Sequence, residues 1–121
     1  MNLNEYPQAI AQASTLVNDL EAQINQTKRV ITAIEGRVDS QIAFGDFKND
    51  PQRKAARFDL LHGDADYQGA LYNLGQLIAA KAKAMVELEL IRNRYSVAKI
   101  EARAEMVRQI AALDCAEFVG L

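Results

Sequence analysis

Residues 3–41, LNEYPQAIAQASTLVNDLEAQINQTKRVITAIEGRVDSQ, carry the pattern that decides the fold. Stepping alternately by three and four from Leu3 lands on Tyr6, Ile10, Ala13, Val17, Leu20, Ile24, Thr27, Ile31, Ile34, Val38 and Gln41, and all but Thr27 and Gln41 are apolar. Side chains at those separations share one face of a helix, and β-branched residues at every seventh position (Ile10, Val17, Ile24, Ile31, Val38) make the stripe a coiled-coil seam. Leu16 and Val30 widen it beyond a two-stranded seam, which suits a bundle of three or four helices. Pro7 falls in the first turn, where its missing N–H is harmless, and Asn4 is the expected cap. Gly36 costs about 1 kcal/mol relative to Ala, but the seam runs past it. One helix is expected over about 5–43.

Working outward, Phe44-Gly-Asp-Phe-Lys-Asn-Asp50 breaks the period, with Gly45 as the expected stop. Asp50-Pro51 reads as a cap followed by proline at the first helical position. A short helix is expected over about 51–62, with Ala55, Phe58 and Leu61 on one face. Gly63 ends it, and Asp64 or Asp66 caps the next. A second long helix follows over about 65–113, carrying Tyr67, Leu71, Leu74, Ile78, Met85, Leu88, Ile91, Tyr95, Ala98, Ala102, Met106, Ile110 and Leu113, with Lys81 as an interruption and phase slips near Ile91 and Met106. Residues 114–121 are left as a short tail.

At 1.5 Å per residue the two long helices span roughly 60 and 70 Å, against a radius of gyration of about 14 Å for a compact chain of this size. The fold class is therefore all-α: a single domain over 1–121, built as a long antiparallel hairpin with the short helix at its tip. Two helices cover one narrow face each, and both stripes are wide, so assembly into an oligomeric bundle is expected, a homodimer with four helices first. Ile10, Val17, Leu20, Ile24, Ile31, Ile34 and Val38 are the expected oligomer seam.

Composition bounds the chemistry. The 121 residues are 50 % apolar and 25 % charged, with a net charge of −2, as in a folded globular domain. No run is long and apolar enough for a membrane span, and no basic stretch leads into an apolar one at the N-terminus, so a cytoplasmic protein without a membrane partner is expected. One cysteine and one histidine exclude an internal disulfide and a protein-only zinc site within one chain.

Candidate sites are sparse. Asp59 and His62 share a helix face at the spacing used in carboxylate-bridged metal sites, but the partner carboxylates such sites need are missing. Glu87 and Glu89 point away from each other on a helix, and Glu101 and Glu105 sit among Lys99, Arg103 and Arg108, as surface ion pairs do. Cys115 has acidic neighbours, which disfavour a reactive thiolate. No phosphate loop or nucleophile elbow is present. No catalytic, cofactor-binding or metal-ligating residue is assigned, and no cofactor is implied. Basic residues are more suggestive. Lys48, Arg53, Lys54 and Arg57 cluster with Phe44, Phe47 and Phe58 at the tip. Arg92, Lys99 and Arg103 form a stripe on the last helix, Lys99 and Arg103 lying seven and eleven residues beyond Arg92. Both are possible contacts for another protein or for nucleic-acid phosphates.

The stretch Lys48-Asn-Asp-Pro-Gln-Arg-Lys-Ala-Ala-Arg, then Asp66-Tyr67, then Arg92-Asn-Arg-Tyr95-Ser, resembles small coiled-coil proteins of bacterial and phage or other mobile-element genomes, over about residues 45–96. Some of these are considered accessories to phage or mobile-element DNA metabolism. The resemblance implies a helical protein and assigns no site residue. Two classes of function follow: a non-catalytic, self-associating interaction module or scaffold, and a nucleic-acid-associated accessory. A small helical metal-dependent enzyme is a third class without a constellation to support it.

Overall fold

The seam on residues 3–41 becomes helix along its length. In the computed structural model, which describes residues 1–118, a 3₁₀ turn at Leu3–Glu5 leads into α1 (Tyr6–Ala43), followed by α2 (Asp50–His62) and α3 (Ala65–Phe118). Helix makes up 91 % of the described residues, which contain no strand. None of these helices is long and apolar enough to cross a membrane.

Local chemistry sets each helix end. The entry cap is Asn2 rather than Asn4. Its extended backbone (φ −72°, ψ 155°) opens the 3₁₀ turn, its carbonyl accepts from Glu5 N–H at 3.0 Å, and its own N–H donates to the Glu5 carboxylate at 3.1 Å. At the other end of α1, Gly45 N–H donates to the Ile42 carbonyl at 3.2 Å. The Phe47 ring lies so close over Gly45 that any Cβ there would collide with it. Asn49, not Asp50, caps α2: its extended backbone lets the side-chain oxygen accept from Gln52 N–H at 3.0 Å. Asp50 sits inside the first turn and pairs with Arg53 at 2.7 Å. Asp64 caps α3 by accepting from Tyr67 N–H at 2.8 Å. Residues 114–118, expected as tail, continue α3 to Phe118, because no proline or glycine interrupts them; the tail residues 119–121 lie outside the described residues.

Contacts divide the chain into two units, Leu16–Lys83 and Met1–Thr15 with Ala84–Leu121. In Leu16–Lys83, Ile34, Val38, Ile42 and Leu61 form a buried cluster, with Phe47, Ala56 and Tyr67 packed on it. Ile24, Thr27 and Ile31 continue the buried stripe along α1. Ile24, Ile31, Ile34 and Val38, named above as the expected oligomer seam, are covered within the chain itself. Ile10, Val17 and Leu20 are half-buried on the same stripe. Near its C-terminus the stripe shifts by one, from exposed Gln41 to buried Ile42, where α1 meets Leu61 of α2.

Polar pairs interrupt the apolar stripe in this unit. Buried Thr27 donates to the Gln23 carbonyl at 2.9 Å and accepts from Asn73 at 3.4 Å. Arg37 pairs with Asp64 at 2.5 Å, and Lys81 pairs with Glu21. As numbers fall from 37 through 27 to 21 on α1, their partners rise from 64 through 73 to 81. The Lys81 hydrogen bond and charge, with a smaller contribution from Lys28, hold the Glu21 carboxyl below the usual carboxylate range.

In the other unit, Ala84 and Leu88 are buried, Ile91, Tyr95 and Ala98 are half-buried, and Tyr95 stacks on Tyr6 with ring centroids 5.3 Å apart. Over α3 as a whole, the covered positions are Tyr67, Ala70, Leu74, Leu77, Lys81, Ala84, Leu88, Ile91, Tyr95 and Ala98. Here Lys81 is a seam member rather than an interruption, and the phase does not slip at Ile91. Leu71, Ile78 and Met85, expected in the seam, lie one position beyond it and are exposed.

The α1 seam carries the stability. Ile31→Ala should lower unfolding free energy by about 2–4 kcal/mol. Phe58→Ala, at a side chain 66 % exposed, should change it by no more than about 0.5 kcal/mol. Urea unfolding followed by far-UV circular dichroism separates the two. The depressed Glu21 carboxyl stabilises the fold above its unfolded pKa of about 4.3, and this contribution is lost as pH falls through the lower, folded value. Glu21→Gln should therefore lower the melting temperature at pH 7, and the difference from the parent should shrink as the pH falls through the Glu21 titration.

Candidate functional site

Two surfaces carry side chains available for binding, one in each unit. The first lies at the tip. A groove of about 410 Å³ is lined by Lys54, Arg57, Phe58, Leu61, His62, Tyr67, Gln68 and Leu71. The sequence groups Ala55, Phe58 and Leu61 on one face of α2, and of these only Leu61 is covered; the other inward residues are Ala56 and Arg57. The reason is the reach of Arg57 back to α1, where it donates to Asp39 at 2.7 Å and Glu35 at 3.2 Å. The hydrogen bond and charge of Asp39, then those of Glu35, hold the guanidinium above its usual pKa. Phe58 is left outside, stacked on His62 with centroids 5.5 Å apart. Phe44 is 93 % exposed. Of the aromatics around the tip, Phe47 and Tyr67 pack against the cluster of Ile34, Val38, Ile42 and Leu61.

Charge at the tip is largely internal. Arg53 pairs with Asp50, and Arg57 with Asp39 and Glu35, which leaves Lys48 and Lys54 as the cluster members without an ion pair among the described residues. The basic stripe on α3 is also modified by its surroundings, with Lys99 Nζ 4.4 Å from the Tyr95 ring centroid, a cation–π contact. Arg92 and Arg103 are exposed on the same helix. No group of three His, Cys, Asp or Glu side chains converges among the described residues. Asp59 and His62 therefore stand without further ligands. Cys115 is exposed.

The second surface belongs to α3 in the unit Met1–Thr15 with Ala84–Leu121. Val86, Leu90, Asn93, Val97, Ile100, Ala104, Val107 and Ala111 follow a strict four–three alternation and are all exposed. Their large members are open to solvent, from 47 % at Leu90 to 68 % at Val86. Each of Leu90, Asn93, Val97 and Ile100 lies two residues beyond a covered residue, namely Leu88, Ile91, Tyr95 and Ala98. Two residues turn a helix by about 200°, so this second stripe faces away from the first. The seam expected from the sequence contains none of its residues, so the second stripe was missed there. The signal that separates them is the unbroken alternation from Val86. Met106, Ile110 and Leu113 add further exposed apolar surface.

No protein-family model, curated protein or solved structure matches this chain.

The tip ion pairs make a simple distinction. Arg57→Ala should lower the melting temperature by uncoupling α2 from Asp39 and Glu35. Lys54→Ala should leave it unchanged. Differential scanning fluorimetry of the two variants checks this.

Proposed function

We propose that this protein is a non-catalytic, self-associating helical module that serves as a scaffold or interaction partner. The observation that carries the reading is the second apolar stripe of α3, Val86 to Val107, exposed along its length. Isolated apolar side chains on a surface are ordinary, but a contiguous stripe of them is a mark of an interaction face. The periodicity also matters. A strict three–four repeat of apolar residues fits a second helix lying along it, with side chains of each set between those of the other.

Within Leu16–Lys83 the pairs 37–64, 27–73 and 21–81 run in opposite directions along α1 and α3, which supports an antiparallel hairpin that a second copy would complete as a four-helix bundle. The internal pairing of Arg53 and Arg57 makes the tip a poorer phosphate-binding surface than its composition suggests, since each neutralised cation releases fewer counterions on binding. That favours the scaffold over the nucleic-acid accessory.

Multi-angle light scattering at micromolar concentration should return twice the mass of the 13.4 kDa chain. A monomer mass throughout that range would refute the reading.

A further inference from the structure

We infer that the second stripe of α3 pairs with the same stripe of a second copy in antiparallel orientation, with Val97 of one chain facing Ile100 of the other. This rests on the self-association proposed above and adds the face, direction and register.

The argument comes from the charges that flank the stripe. One edge carries Glu87, Arg94, Glu101 and Arg108, which alternate in sign at every heptad. The other edge carries Glu89, Ser96, Arg103 and Ile110. In an antiparallel pair each edge meets itself, running in the opposite direction. With Val97 opposite Ile100 of the second copy, Glu87 meets its Arg108 and Arg94 meets its Glu101. Two-fold symmetry repeats both meetings, so four opposite-sign pairs form. On the other edge Ser96 meets Arg103 and Glu89 meets Ile110, and no like charges face each other. The stripe itself fits this register: Leu90 opposes Val107, and polar Asn93 opposes the small Ala104.

A parallel pair is worse. There, residues of one edge meet residues of the other edge five positions on. Glu89 would face Arg94, but Arg103 would face Arg108, a like-charge meeting that symmetry doubles. Charges that flank such a seam choose the partner and its direction more than they set raw affinity. The surface is also prepared for a neighbouring helix. A groove of about 330 Å³ lined by Tyr6, Asn93, Arg94, Val97, Ala98 and Glu101 opens along the edge that carries the Arg94 and Glu101 charges.

The test reads direction and face separately, using the full-length chain. Cys115 is the one cysteine in the sequence and is exposed, so a nitroxide attached there reports the distance between copies by pulsed electron paramagnetic resonance. The antiparallel register puts the two labels about 50 Å apart, at 1.5 Å per residue from an axis between Val97 and Ile100. A distance below about 20 Å would mean a parallel pair and overturn the proposal.

Charge variants test the face. Glu87→Lys with Glu101→Lys makes one edge wholly basic, and Arg94→Glu with Arg108→Glu makes it wholly acidic. Each should weaken self-association at least about ten-fold in sedimentation equilibrium, and mixing the two should restore a one-to-one pair. If either double variant associates as tightly as the parent, the face is wrong although self-association stands. A parent chain that is monomeric would remove both this inference and the reading beneath it.

Discussion

Burial of a single three–four stripe on α1 is the interaction on which the rest of this structure depends. Apolar burial is worth roughly 25 cal/mol for each Å² removed from water, and most of the well-buried side chains, from Ile24 to Ile42, lie on that stripe. The core is thin. Even Val38, at 2 %, retains a trace of exposure. A helix that buries one stripe has no second layer to compensate for a lost contact, so α2 and α3 are placed by how well they cover α1. Leu61 completes the cluster at one end, and Arg57 ties α2 back to Asp39 and Glu35.

Apolar stripes alone leave the register loosely defined, because hydrophobic attraction is non-directional. Polar groups placed in or beside the stripe resolve this. Buried Thr27 accepts from Asn73, Glu21 pairs with Lys81, and Arg37 holds the Asp64 that caps α3. A slip of one heptad would separate these partners. Polar residues inside helical seams act in this way at some cost in stability. Asp64 links the helix start and the inter-helix contact in one side chain, so α3 begins where its register is set.

The α3 helix poses a different problem. It is apolar on two opposite sides within the unit Met1–Thr15 with Ala84–Leu121, and one neighbouring helix can cover only one of them. Leu88, Ile91, Tyr95 and Ala98 face inward, while Leu90, Val97 and Ile100 are left in water. A monomeric chain would carry that stripe as a standing cost in exposed apolar area. In the proposed pairing a second copy would offer a stripe of matching period, and the alternating Glu and Arg residues beside it would give that pairing a direction.

The helical class, the α1 seam from Tyr6 to Val38 and the breaks at Gly45 and Gly63 were legible in the sequence, because period, proline and glycine act locally. Which residue caps a helix was less so. Asn4 and Asp50 were plausible by type, but Asn2 and Asn49 have the extended backbone a cap needs. The second α3 stripe was missed because the seam expected from the sequence followed Leu88, Ile91, Tyr95 and Ala98 and left out Leu90, Val97 and Ile100 on the opposite side. Only tertiary contacts separate Leu88 from Leu90. The tip followed the same rule. Phe58 and Arg57 are neighbours in sequence, and composition favours the phenylalanine for the interior. The carboxylates of Asp39 and Glu35 on α1 instead draw Arg57 inward, and Phe58, about 100° further round the helix, is left exposed. Sequence by itself determined which segments are helical and which stripe of α1 is buried. Tertiary structure decided which side of α2 and α3 faces inward, because that choice depends on groups distant in the chain.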